Sequence, residues 1–169
     1  MRARGSALAV MLVIAAATTG CVPQSSVPPA ELRTTAPPWP APRDGVAYIE
    51  AAGLEQLPLD TRGERHIVSL TVRVAQQPVV VPAYVGVDRL RAVQAVAHTH
   101  DETGAVWLEG RGSDSVTLGQ FFTLWGVRFD GRCVGGACKS IHVSADGVAI
   151  ARPAGLRLHE VAAVVIEAS

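Results

Sequence analysis

Thr117-Leu118-Gly119-Gln120-Phe121-Phe122-Thr123-Leu124-Trp125-Gly126 is the stretch that decides the fold class. Leu118, Phe121, Phe122 and Trp125 stand at i, i+3, i+4 and i+7, which places them on one face of a helix. Thr117 and Gln120 have the spacing of a capping box, in which each side chain satisfies an otherwise unpaired amide at the helix start. Gly126 is a natural stop, because glycine takes the left-handed conformation that ends helices. The spacing therefore predicts a short amphipathic helix over residues 117–126, with its aromatic face in the core.

On both sides of this helix the period changes from helical to alternating. Ile67 to Val74 alternates apolar with other residues, as a half-buried strand does. Gln76-Gln77-Pro78 is expected to turn the chain into a second strand, Val79 to Val85, with Pro82 marking an edge or an early end. Ala92 to Ala97 and Val106 to Glu109 read as two more strands flanking a turn at His98–Gly104. After the helix come a strand at Ser140–Ser144, a hairpin turn at Asp146-Gly147, a return at Val148–Ile150, and a last strand at Val161–Ile166.

The order hairpin, insert, helix, strand, short strand, last strand resembles the β-grasp, or ubiquitin-like, fold. Its landmarks are the first hairpin, Thr117-Leu118-Gly119 opening the helix, the Ala145-Asp146-Gly147 turn, and Leu156–Glu160 as a short loop before the final strand. The resemblance covers residues 66–167, with a β-hairpin insertion at 86–113. It implies an α+β domain in which a mixed sheet packs on one helix. The chain ends Glu167-Ala168-Ser169 rather than Gly-Gly, so the carrier chemistry of some β-grasp proteins is not implied. The motif His98-Thr99-His100-Asp101-Glu102-Thr103-Gly104, followed by the Thr117–Phe122 helix start, also resembles a bacterial group of secreted or lipid-anchored proteins of unknown function. In that group a further histidine often stands where this chain has Trp107.

The N-terminus reads as a lipoprotein signal. Arg2 and Arg4 precede an apolar run, Ala7–Ala17, which is too short for a bilayer span of about 20 residues. Thr18-Thr19-Gly20-Cys21 then resembles a lipobox, with Thr18 where the pattern usually has Leu. This predicts signal removal at residues 1–20, lipidation of Cys21, and an extracytoplasmic, membrane-anchored location. Residues 21–42, with seven prolines, are expected to be an extended linker. Residues 43–65 are transitional, with a short helix or turn around Glu50–Gln56, and residues 66–169 form the domain.

Charge excludes one class of partner. The chain carries 15 basic and 15 acidic residues without a basic block, so nucleic acid is not an expected ligand. Cys133 and Cys138, with four residues between them, two of them glycine, are expected to form a disulfide in an oxidising compartment. A two-thiolate metal site would need further ligands, and there is no second cysteine pair.

The chemistry-bearing cluster is His98-Thr99-His100. On a strand, residues two apart share a face, so both imidazoles can be presented together. Asp101 and Glu102, and more distantly Glu109, are near enough in sequence to add oxygen donors, and imidazole with carboxylate suits Zn²⁺ or Cu²⁺. The alternative is two histidines hydrogen-bonded in a polar hairpin. A metallo-β-lactamase-like site lacks its aspartate, because Glu102 stands there. The JAB/MPN metalloprotease pattern would put Ser and Asp at Leu108 and Arg111, whereas Ser113 and Asp114 come later. No G-x-S-x-G nucleophile elbow is present. Phe121, Phe122 and Trp125 are expected in the core, and Trp107 is free to flank a pocket. The sequence thus favours a binding module over an enzyme, with an envelope structural or interaction protein as the alternative and a small ligand or an envelope protein as partner.

Overall fold

A computed structural model describes residues 29–59, 61 and 63–169. The lipobox and Cys21 lie outside the described residues. Within them the chain is α+β, with two helices and two sheets. Helix α1 is Gly45–Ala51 and helix α2 is Leu118–Trp125. The strands are β1 Gln56–Pro58, β2 Arg65–Val74, β3 Gln77–Val79, β4 Val87–Asp88, β5 Val93–Ala95, β6 Ala97–His98, β7 Ala105–Glu109, β8 Ile141–Ala145, β9 Val148–Ala149 and β10 Ala163–Ala168.

The larger sheet runs β6-β7-β2-β10-β8-β9, and β3 also pairs with β2. Its centre is parallel: Val72 of β2 lies opposite Ile166 of β10. All its other pairings are antiparallel. The alternation of β2 places Val68, Leu70 and Val72 inward, with Ser69, Thr71 and Arg73 outward. Val164 and Ile166 of β10 and Val143 of β8 join them against Leu118, Phe121, Phe122, Leu124 and Trp125 of α2. The helix is built as its spacing predicts. Thr117 and Gln120 form both capping-box bonds, and Gly126 closes the helix at φ 69°.

Several boundaries differ from expectation. The first hairpin turns on two residues, Ala75 and Gln76, both at positive φ, so β3 starts at Gln77 and stops at Val79. Pro82 and the left-handed Tyr84 lie in the part of the expected second strand that forms no ladder. The expected strand at 92–97 is two strands of different sheets. β5 joins β1 and β4 in the smaller sheet, and β6 joins β7. Val96 is the joint between them, and its carbonyl accepts a bond from Glu109 N. The helix before the domain is Gly45–Ala51 rather than near Glu50–Gln56, because Val46, Ala47 and Ile49 are the residues that bury.

The largest departure is in the Pro-rich stretch. Its second half is not a free spacer. Arg33 forms a β-bridge with Val127, and Trp39 is 2% exposed. The Trp39 ring stands edge-on to Trp125 at 5.7 Å, and Trp125 Nε1 donates to the Trp39 carbonyl at 2.8 Å. Cys133 and Cys138 are joined as a disulfide, which closes a small loop after α2. Among the described residues no helix is long and apolar enough to cross a membrane.

Candidate functional site

The two histidines are held by the far end of the larger sheet, where β6 pairs with β7 and the smaller sheet begins. His98 lies on β6 opposite Trp107 of β7. Thr99 follows and is fully buried. Its backbone exchanges bonds with Tyr84 and Val85, and its hydroxyl donates to Pro82 O at 2.7 Å. Thr99 therefore pins the His-Thr-His segment to the loop beneath it. Gly104 ends the following turn at φ 83°, and a Cβ there would lie 2.5 Å from Leu70 O. Only glycine allows this turn to press against β2.

The imidazoles converge, although β6 ends at His98 and His100 stands in the bend that follows, so strand alternation is not what brings them together. His98 Nδ1 donates to Ala95 O at 3.0 Å. In the neutral ring this leaves Nε2 as a lone pair. His100 Nε2 lies 3.2 Å from that atom and, in its Nε2–H tautomer, donates to it. The rings meet edge to face, with centroids 4.8 Å apart. Burial pushes the His98 pKa down to about 4, with the bond to Ala95 opposing and the His100 charge reinforcing the shift. His98 is thus a buried, neutral nitrogen donor over the ordinary pH range.

The acids sort differently from their order in the chain. Asp101 and Glu102, expected beside the imidazoles, do not join them. The Asp101 carboxylate makes its hydrogen bonds with the hydroxyl and the amide of Thr103, which closes the turn and holds its pKa low, with a smaller contribution from the His100 charge nearby. Glu102 lines a different groove with Pro37, Trp39 and Pro82. Glu109, eleven residues downstream of His98 on β7, takes the position instead. Its Oε2 is 3.8 Å from His98 Nε2, and the residue is 9% exposed. Among the described residues no three His, Cys, Asp or Glu side chains are grouped so as to hold a metal ion by themselves. The protein supplies two nitrogens in contact and one carboxylate standing off.

Above the pair lies an open groove of about 410 Å³ lined by Leu59, Thr61, Arg65, Gln94, His100, Trp107 and Glu109. Trp107 does flank a pocket: its ring stands edge-on to His100 at 4.7 Å. The Arg65 guanidinium lies 5.1 Å from the centroid of the same ring. Gln94 is 3% exposed and lines the groove beside Glu109. Sequence reasoning missed Arg65 and Gln94. Arg65 has no local signal, since only the β2–β7 register sets it opposite Glu109. Gln94 has none, because its place depends on the change of sheet at Val96.

Ser113 and Asp114 are not beside the histidine pair. They line another cavity, with Glu64, His66 and His159, which Arg65 borders as well. Phe121, Phe122 and Trp125 are fully buried, which makes them core. No protein-family model, curated protein or solved structure matches the chain.

Proposed function

We propose that this is a membrane-anchored, extracytoplasmic binding module whose ligand is a transition-metal cation of the zinc or copper kind, held at His98 and His100. The observation that carries this reading is the 3.2 Å approach of the two Nε2 atoms, one of them a buried lone pair. Two imidazole nitrogens this close suit a borderline metal once His100 carries its proton on Nδ1, and Glu109 adds negative charge beside them. Hydrolysis of the JAB/MPN kind is not adopted, because Ser113 and Asp114 stand in the other cavity. The anchored location draws on the Arg2–Cys21 signal pattern and is consistent with a disulfide at Cys133–Cys138.

The larger sheet also supports the β-grasp kinship. A parallel central pair is flanked by the first hairpin on one side and by β8 and β9 on the other, and α2 lies between the two halves in sequence. In this reading β4 to β7 are the insertion that carries the site.

Zinc titration followed by thermal unfolding tests the function. Zinc is expected to raise the midpoint of the wild type, and the rise is expected to vanish in His100→Ala and to shrink in Glu109→Gln. Asp101→Ala is expected to keep the full rise, since Asp101 serves its own turn. A folded protein with no zinc-dependent shift, or an equal shift in His100→Ala, removes the reading.

A further inference from the structure

We infer that the metal is bound together with an anionic chelating ligand, which fills the groove between the histidine pair and Arg65. This rests on the metal-binding reading above and adds the class of ligand that completes it. Three observations carry it.

The first is what the protein withholds. Only two nitrogens converge, and no third described side chain completes a metal site. A zinc or copper ion held there has coordination positions left for a donor from outside the chain.

The second is where those positions face. His100 and Glu109 are themselves part of the groove lining, so the open positions look into a space of about 410 Å³. That space suits a small chelate rather than a macromolecule.

The third is the chemistry of the walls. Gln94, 3% exposed, lines the groove and brings an amide to its wall. Arg65 is parked over the Trp107 ring and has no ion-pair partner among the described residues. A divalent cation beside one carboxylate, Glu109, leaves a net positive charge, and Arg65 adds another. Glu109 is the only acid lining the groove among the described residues. The ligand that balances this charge is an anion with two oxygen donors, one side on the metal and the other on the guanidinium fork. A dicarboxylate or hydroxycarboxylate has that form.

Labelled oxalate serves as the probe, in equilibrium dialysis against the full chain with and without zinc. One oxalate is expected to be retained per zinc-loaded protein and none without zinc. Arg65→Ala is expected to weaken oxalate retention at least tenfold while leaving zinc affinity, measured without oxalate, unchanged. Arg65→Lys is expected to fall between the two, because it keeps the charge and loses the fork. Zinc-loaded protein that retains no oxalate, or retains it equally in Arg65→Ala, overturns this inference and leaves metal binding standing. A chain that takes up zinc neither alone nor with oxalate overturns both.

Discussion

His98 gives up its charge to occupy its position. Its ring is buried, one nitrogen is committed to Ala95 O, and the other faces His100 and the Glu109 carboxylate. Its folded pKa is about 4, below the unfolded value near 6.5. The unfolded chain therefore binds the proton first as pH falls. The stability that depends on neutral His98 is fully present above about pH 6.5 and is lost progressively down to about pH 4, by at most about 3 kcal/mol. Denaturant unfolding of metal-free protein at pH 7.5 and at pH 4.5 checks this. The wild type is expected to lose more stability across that interval than His98→Gln, whose amide can keep the bond to Ala95 and has no proton to gain. Equal losses in the two proteins would mean that burial of His98 does not set its protonation. At this scale the two histidines were legible as a pair but for the wrong reason, because β6 ends at His98 and the bend pinned by Thr99 carries His100 back toward it. Asp101 and Glu102 misled because proximity in sequence says nothing of direction in a turn. Asp101 is consumed by Thr103, and the acid that approaches the imidazoles comes from the neighbouring strand.

Among the elements, α2 was the most legible. Its apolar spacing, its capping box and its terminating glycine are local, and each acts within a few residues. Phe122→Ala is expected to cost about 3–5 kcal/mol in denaturant unfolding, as for other fully buried aromatic rings. The strands near the site were less legible. The continuous apolar run 92–97 conceals a change of sheet at Val96, which only long-range pairing with β1, β4 and β7 imposes. The Pro-rich arm was misread for a related reason. Proline content argues for extended chain, and extended chain can still dock. The informative residue was Trp39 among the prolines, since a tryptophan this deeply buried brings a large apolar area to the core. Trp39→Ala is expected to cost about 3–5 kcal/mol. A cost under about 1 kcal/mol would show that the arm contributes little to the core.

Across the whole molecule, one core joins α2 to the mixed sheet, β6 and β7 included through Ala97, Val106 and Leu108, and the β6–β7 end also carries the imidazoles. The α+β class was legible because helical and alternating periods are separate along the chain. The smaller sheet was not, since its strands of two or three residues are too short for a periodic signal. The proposed anchor belongs to this scale as well. Cys21→Ala is expected to move the protein out of the membrane fraction or to leave its signal segment uncleaved, as read by fractionation and mass. A variant that stays membrane-bound at the wild-type mature mass would contradict lipidation at Cys21. The central claim concerns what joins His98 to His100. Zinc K-edge X-ray absorption of the zinc-loaded full chain tests it most directly. Two imidazole ligands at about 2.0 Å, with oxygen donors completing the shell and no sulfur, are predicted. A spectrum without imidazole scattering, or one that His100→Ala leaves unchanged, would contradict it.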